Sequence, residues 1–275
     1  MKKEHDNDRA IKQAVKDHYA GLVSGKSCGC CSPTVTGIVG FGQSNYTSNF
    51  LEDVPGEAAA YSFGCGNPLA FAGVKEGQTV VDIGSGAGLD VIIASRAVGP
   101  EGTVIGLDMT PEMIKQGQEN VGKAGLFNVL FVLGEAENIP IDDGIADWVV
   151  SNCVINLSPD KEQVFREISR ILKPGGQILI SDMVVDNLPD QLLESLSAWT
   201  GCIAGAIPEK DYLAAVAAAG LEQISVIDRM DYDLSGFKPL LEEYFPGRSE
   251  SLLAPAKEQG LRVSSIRLSA VKPNE

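Results

Sequence analysis

The 275-residue chain has only two histidines, no long apolar run and a deficit of positive charge. Its apolar segments are short and broken by charged residues, so none is long enough to span a bilayer. The first residues, MKKEHDNDRA, contain lysines but no apolar stretch behind them, which argues against a secretory signal. The formal net charge of −15 would repel phosphate backbones and anionic lipid. We therefore expect a cytoplasmic protein with neither a nucleic-acid nor a membrane partner.

The usual signatures of zinc sites and disulfide frameworks are also missing. A reduced cytoplasm disfavours structural disulfides. The segment GKSCGCCSP at 25–33 lacks the paired C-x2-C spacing of zinc sites, and both histidines, His5 and His18, are N-terminal. We expect no metal cofactor. The cysteines are Cys28, Cys30, Cys31, Cys65, Cys153 and Cys202.

The order of apolar segments predicts an α/β fold. Apolar spacing indicates a helix over 8–24, and a loop rich in small and polar residues follows to about residue 67. Strands and helices then alternate, which predicts right-handed crossovers and a doubly wound, mostly parallel sheet. The predicted strands of this part lie at 79–84, 102–108, 128–134, 146–152 and 177–182.

The C-terminal part has a looser pattern. Helices are predicted at 190–200 and 208–219, and the segments EQISVIDRM and LRVSSIRLSAVK would add two strands at one sheet edge. The sheet would then have seven strands. We divide the chain into an N-terminal helix and cysteine-containing loop segment, a ligand-binding core, and a C-terminal α+β region that completes the sheet and covers the substrate site. The corresponding ranges are 1–70, 71–185 and 186–275.

A glycine-rich turn follows the first core strand. The segment VVDIGSGAGLD places Asp82 at the end of the strand and Gly84, Ser85 and Gly86 in the turn, where a glycine backbone lets a ligand approach closely. Asp108 closes the second strand, where a carboxylate can accept both hydroxyls of a ribose. The segment GEAENIP follows the third strand, where an acidic residue can accept from an adenine amino group. A tight strand-to-helix turn alone would also need glycine.

This order of motifs resembles the class I S-adenosylmethionine-dependent methyltransferases, which have a Rossmann-like fold. The resemblance is carried by VVDIGSGAG, VIGLDMT, GEAENIP, ADWVVSNCVINL and ILKPGGQILISD. It implies that Gly84 and Gly86 approach the methionine part of the donor, that Asp108 binds the ribose, and that Met109, Glu135 and Ala136 contact the adenine. A dehydrogenase is the rival for such a turn, but a dinucleotide typically requires a different glycine spacing.

The isolated cysteines extend the resemblance. Each could be a small buried apolar residue, but Cys153 follows the fourth strand, where it would face the donor methyl group, and Cys65 is flanked by glycines. Thiols from three segments would form a soft trigonal site. With YSFGCGNP, SNCVINL and WTGCIAGAI, the chain resembles arsenite methyltransferases. That family implies arsenic(III) binding by Cys65, Cys153 and Cys202, and a redox role for an N-terminal cysteine, here Cys28, Cys30 or Cys31.

The chemistry of arsenic fits the lack of histidine in the core. The lone pair of thiolate-bound arsenic(III) can attack a sulfonium methyl group without a general base, which oxygen or nitrogen nucleophiles usually require. Asp147, Asn152 and Glu137 are candidates for shaping the pocket. The substrate would be arsenite or its thiol conjugate, and thioredoxin or glutathione would supply electrons for resetting the arsenic.

Two other functions remain open on the sequence. The first is a methyltransferase for an organic acceptor such as a quinone precursor, in which the cysteines are incidental. The second is a metalloid-binding or sensing protein that keeps the fold without turnover. Methylation of arsenite in the presence of donor and thiol would distinguish the three.

Overall fold

The computed structural model describes residues 2–23, 54–60, 73–187, 205–234, 242 and 246–274. The strands are β1 Thr79–Ile83, β2 Thr103–Asp108, β3 Val129–Leu133, β4 Ala146–Asn152, β5 Leu172–Asp186, β6 Glu222–Asp231 and β7 Arg262–Val271. The helices are α1 Lys2–Val23, α2 Gly56–Ala60, α3 Leu89–Val98, α4 Pro111–Lys123, α5 Lys161–Ile171, α6 Glu209–Ala218 and α7 Ser249–Glu258, with a 3-10 helix at Ile155–Leu157.

The seven strands form one sheet in the order β3-β2-β1-β4-β5-β7-β6. Strands β1 to β5 pair in parallel, whereas β7 is antiparallel to both β5 and β6. This confirms the predicted doubly wound, mostly parallel sheet, and both C-terminal segments form strands at one side of it. Helix 208–219 is also confirmed as α6, while the predicted helix at 190–200 lies outside the described residues.

Strand β5 is longer than the predicted 177–182. Its outer partner, β7, pairs with it continuously from Gln177 to Asp186, and this pairing extends the strand at its carboxyl end. At the other end, Leu172 pairs with Ala146 across an irregularity in the β4–β5 register. The Lys-Pro-Gly-Gly segment therefore lies within the extended stretch, and the helix before it ends at Ile171.

The central strands are buried on both faces, as expected for parallel strands covered by helices. In β1, every residue from Val80 to Ile83 is buried. Helix α5 contributes an apolar stripe of Val164, Phe165 and Ile168, each fully buried against this core. These packed strands are the rigid support from which the loops at their carboxyl ends project.

Helix α1 is longer than the predicted 8–24, because it begins at Lys2 rather than at residue 8. Its residues Ile11 and Val15 are buried, which confirms the apolar face inferred from the spacing. Among the described helices, none is both long and apolar enough to cross a membrane.

Candidate active site

A cleft opens at the carboxyl ends of β1, β2 and β4. The chain order of the strands reverses between β1 and β4, and open α/β sheets bind ligands at such a switch point. The cleft is lined by most of the residues predicted to bind the donor. They are Gly84, Ser85, Gly86, Asp108, Met109 and Ala136.

The glycine turn is tied to the neighbouring strand through its backbone. The N–H groups of Gly84 and Ser85 both donate to the carbonyl oxygen of Leu107, at 2.7 and 2.9 Å. Gly86 has φ +50°, and no atom of the described residues lies within 4 Å of the position that a Cβ would occupy there. The backbone at Gly86 is therefore open to close approach by a ligand.

Both carboxylate oxygens of Asp108 accept backbone hydrogen bonds at the end of β2. The Gly86 N–H donates to Oδ2 at 2.9 Å, and the Thr110 N–H donates to Oδ1 at 2.8 Å. Burial raises the pKa of Asp108, and the bonds from Thr110 and Gly86 offset only part of that rise. Each oxygen keeps a further acceptor lone pair, which suits two neighbouring hydroxyls of a ligand.

Two more carboxylates make this end of the cleft acidic. Asp90 lines the cleft, and Asp82 lies behind the lining and is fully buried. Oδ2 of Asp82 has no hydrogen-bond partner among the described residues. Burial and the charges of Asp90 and Asp108 raise the pKa of Asp82 well above its usual range. A cationic ligand group would relieve this concentration of negative charge.

The turn after β3 contributes Ala136 and Glu137 to the lining of the cleft, whereas Glu135 is half exposed and lies outside it. Lys12 from helix α1 bridges the two acidic residues. Its Nζ lies 2.8 Å from Oε2 of Glu135 and 3.1 Å from Oε1 of Glu137. The acidic segment predicted to meet an adenine therefore also holds a helix from the N-terminal part of the chain.

Cys153 lies directly after β4 and lines the cleft. It is buried, at 3% exposure, and its backbone has φ +58°. Its N–H donates to the carbonyl oxygen of Ser181 at 2.8 Å, which fixes the backbone against β5. The sulfur is in a disulfide bond, and the second sulfur lies outside the described residues.

A buried polar network holds the loop that follows Cys153. Asp182 accepts hydrogen bonds from the backbone N–H of Asn156 at 3.1 Å and from the hydroxyl of Tyr212 at 3.0 Å. The side-chain amide of Asn156 donates to the carbonyl oxygen of Met183 at 2.6 Å. Burial raises the pKa of Asp182 to about 6, although hydrogen bonds from Met183 and Tyr212 and the charge of Lys161 act in the opposite direction.

Helix α1 contributes to the lining of the cleft, a position that sequence reasoning missed. Lys12, Val15 and Tyr19 line the cleft, and Ile11 and Val15 pack in one apolar cluster with Cys153. The helical spacing of these residues was a sufficient signal for an apolar face. It carried no information about which surface that face would cover.

The remaining predicted site residues divide into three groups. Asn152 and Glu137 line the cleft as expected. The prediction for Asp147 was wrong, because its Oδ2 accepts from the Thr79 N–H at 2.8 Å and from Lys173 at 2.7 Å, at the opposite end of the sheet. The other cysteines fall outside the described residues, and their roles stay predictions. They are Cys28, Cys30, Cys31, Cys65 and Cys202.

Comparisons with known proteins identify related methyltransferases. A family model described as a methyltransferase domain matches residues 74–223. An arsenite methyltransferase of Halobacterium salinarum is 41% identical over 229 residues, which cover 78% of this chain and 58% of that relative. The chain thus spans little more than half the length of this curated relative.

Two further proteins are similar to this chain. The crystal structure of an arsenic(III) S-adenosylmethionine methyltransferase from Chlamydomonas reinhardtii matches with a TM-score of 0.69 and 30% identity, covering 82% of this chain and 73% of that one. A demethylmenaquinone methyltransferase of Listeria welshimeri is 39% identical over 116 residues, which cover 42% of this chain and 49% of the relative.

Proposed function

Because the chain belongs to the arsenite S-adenosylmethionine methyltransferase family of class I methyltransferases, we propose that it transfers a methyl group from S-adenosylmethionine to trivalent arsenic. The observation that carries the proposal is the position of Cys153. Cys153 lines the same cleft as Gly86 and Asp108, so a cysteine and a candidate nucleoside site are adjacent.

The chemistry of the cleft supports S-adenosylmethionine as the donor. Asp108 presents two fixed carboxylate oxygens that suit the ribose hydroxyls, and the open backbone at Gly86 suits the methionine part. The carboxylates of Asp82 and Asp90 suit a ligand that carries an ammonium and a sulfonium charge. We assign the adenine to Met109 and Ala136, beside the turn after β3.

The acceptor would be arsenic(III) held by the thiolates of Cys65, Cys153 and Cys202. Its lone pair attacks the methyl carbon, the bond from that carbon to the sulfonium sulfur breaks, and neutral S-adenosylhomocysteine leaves. Arsenic is oxidised from the trivalent to the pentavalent state, and no proton has to be removed. Catalysis would then depend mainly on positioning, which requires no general base and no metal cofactor.

Returning the arsenic from the pentavalent to the trivalent state requires two electrons. Two protein thiols can supply them and become a disulfide, which thioredoxin or glutathione then reduces. Cys28, Cys30 and Cys31 are the candidates for this step.

The test is an assay with purified protein, S-adenosylmethionine, arsenite and a thiol reductant, with methylated arsenic as the product measured. We expect product with the wild type and none with Cys153→Ser, while affinity for S-adenosylhomocysteine stays within about twofold because the donor site is intact. Cys30→Ser is the matched control and should retain more activity, because its neighbouring thiols can replace it.

The similarity to a demethylmenaquinone methyltransferase favours one second candidate, methylation of an organic acceptor such as a quinone precursor. The same assay separates the candidates. Arsenite binding without product would indicate a metalloid-binding protein. Donor binding with neither arsenite binding nor product would favour the organic acceptor, for which the cysteines would be incidental.

A further inference from the structure

A continuous polar contact among residues that line the cleft runs from helix α1 to the loop after Cys153. Lys12 Nζ lies 3.1 Å from Oε1 of Glu137, and the Ser158 hydroxyl donates to the same oxygen at 2.6 Å. We call Lys12, Glu137 and Ser158 the polar bridge. Its members come from three separate segments, so it ties together parts of the chain that are distant in sequence.

Lys12 anchors helix α1 to the turn after β3 through two ion pairs. Only 25% of its side chain is exposed, and its ammonium contacts the carboxylates of both Glu135 and Glu137. Burial lowers the pKa of Lys12, but the hydrogen bond to Glu135 and the charge of Glu137 outweigh this effect, so its pKa is raised. The lysine is therefore charged at neutral pH, and the contact is ionic.

Glu137 has little freedom to move. Its side chain is 12% exposed, and its backbone carbonyl accepts from the side-chain amide of Gln163 in α5 at 3.1 Å. Ser158 is also buried, and its oxygen accepts from the N–H of Asp160, the residue that caps α5. A displacement of Lys12 or Ser158 would therefore shift Glu137 and, through it, the residue at the other end of the polar bridge.

The apolar contacts run parallel to the polar ones. Ile11 and Val15 of α1 belong to the same buried cluster as Cys153 and Leu157, the residue just before Ser158. Helix α1 therefore shares one apolar cluster with the Cys153 loop and is also linked to it through Glu137. Seating of the helix and placement of the loop are linked by two independent sets of contacts.

We propose that Glu137 is a positioning residue that, through Lys12 and Ser158, couples the seating of α1 over the cleft to the placement of the Cys153 loop. The inference rests on the proposed function only in taking the cleft as the donor site. A bound donor would be enclosed by the seated helix, and closure of the helix would at the same time set the loop that presents Cys153 to the methyl group.

The coupling is testable without any ligand, because a substitution that loosens one of two coupled segments also promotes local opening of the other. Hydrogen exchange would be followed by mass spectrometry in residues 9–19 and 154–158. We expect Lys12→Met to speed exchange in 154–158, and Ser158→Ala to speed exchange in 9–19, each by about three- to tenfold. Acceleration confined to the element that carries the substitution would overturn the proposal.

The control substitution is at a second lysine of helix α1, and the conservative rescue is at Lys12 itself. Lys16, one turn beyond Lys12, makes no ion pair with the described residues, so Lys16→Met should leave exchange in 154–158 unchanged. Lys12→Arg keeps the charge and should restore most of the protection lost in Lys12→Met. Glu137→Gln keeps the shape of the side chain and should accelerate exchange at both ends.

A second readout separates positioning from general stability. Affinity for S-adenosylhomocysteine should fall about fivefold in Lys12→Met, and its decrease with added salt should be smaller than in the wild type because the ionic contact is gone. An unchanged salt dependence would contradict the role of Lys12. If the wild type binds no S-adenosylhomocysteine, the proposed function fails, whereas the ligand-free exchange still decides the coupling.

Discussion

Gly84 and Gly86 lie two residues apart in the turn after β1, and they have different surroundings. A Cβ on Gly84 would lie 2.1 Å from Cγ2 of Val154, the residue after Cys153. A Cβ on Gly86 would meet no atom of the described residues within 4 Å and would enter the cleft. One glycine makes room for the cysteine loop, and the other makes room for a ligand.

Alanine substitutions should separate these two roles. We expect Gly84→Ala to lower the free energy of unfolding by about 1–3 kcal/mol or more, because Val154 and its loop must shift. Gly86→Ala should cost only about 1–2 kcal/mol for its positive φ, yet weaken S-adenosylhomocysteine binding at least tenfold. Urea unfolding and calorimetric titration measure the two quantities.

The control for the substitution itself is Gly122→Ala on the exposed side of α4. No atom of the described residues lies within 4 Å of its Cβ position, and alanine favours a helix, so stability should be unchanged or slightly higher. Wild-type affinity in Gly86→Ala would contradict the assignment of this turn to the donor.

At the residue scale, motif spacing predicted the cleft-lining positions well. Gly86 and Asp108 are recognisable because a turn and a strand end require their residue types at those places. Asp147 was misplaced because acidic residues occur at both ends of a strand, and the sequence does not say which end faces a ligand. The disulfide at Cys153 was also beyond prediction, since pairing depends on distances between remote segments.

At the scale of elements, β5 and α6 meet through the buried hydrogen bond between Tyr212 and Asp182. The pKa of Asp182 is about 6, against 3.8 for an ordinary aspartate, with burial as the main cause. Between these values the unfolded state binds fewer protons than the folded state. The contribution of Asp182 to stability therefore falls as pH rises through this window.

We predict that the stability difference between the wild type and Asp182→Asn depends on pH. The wild type should lose roughly 2 kcal/mol relative to the variant between pH 4 and 7, since one pKa unit corresponds to about 1.4 kcal/mol and part of the change occurs below pH 4. Urea unfolding at several pH values measures the difference. A constant difference across this range would show that the carboxyl group titrates alike in both states.

Tyr212→Phe provides a matched variant for the same network. Its hydroxyl donates to Asp182 and lowers the pKa of that carboxyl, so its removal should raise the pKa further. The loss of stability should then begin at the same pH as in the wild type, because the unfolded state sets that point, but end at higher pH. A shift toward lower pH would contradict the hydrogen-bond assignment.

The presence of a helix or strand was predictable where local periodicity determines it. Its position and its full length were not predictable where packing against distant segments determines them. The apolar spacing of Ile11 and Val15 indicated a helix, but its place over the cleft depends on contacts with Leu157 and Cys153, far along the chain. Similarly, the extension of β5 beyond 177–182 comes from pairing with β7. Neither contact leaves a local pattern in the sequence.

At the scale of the whole molecule, strand alternation was sufficient to predict a parallel sheet, because short crossovers have one hand and place helices on both faces. The position of β7 between β5 and β6 was not predictable. Two segments separated by a helix can add to a sheet edge in either order, and only the pairing of β7 with both neighbours fixes the result.

The excess of acidic residues acts on the molecule as a whole. The chain has 37 acidic and 22 basic side chains and an isoelectric point near 4.6. At neutral pH the resulting self-repulsion opposes compaction. Surface ion pairs such as that of Arg170 with Asp143 act in the opposite direction, but each exposed pair contributes only about 0–1 kcal/mol.

We therefore predict that sodium chloride stabilises the protein at pH 8. Raising the salt from about 50 to 500 mM shortens the screening length well below the molecular diameter, and the unfolding free energy should rise by about 1 kcal/mol. Near pH 5 the net charge is small, so the same salt should have no effect or should destabilise slightly through the ion pairs. Urea unfolding at both pH values tests this, and equal destabilisation at pH 8 would mean that ion pairs outweigh the net charge.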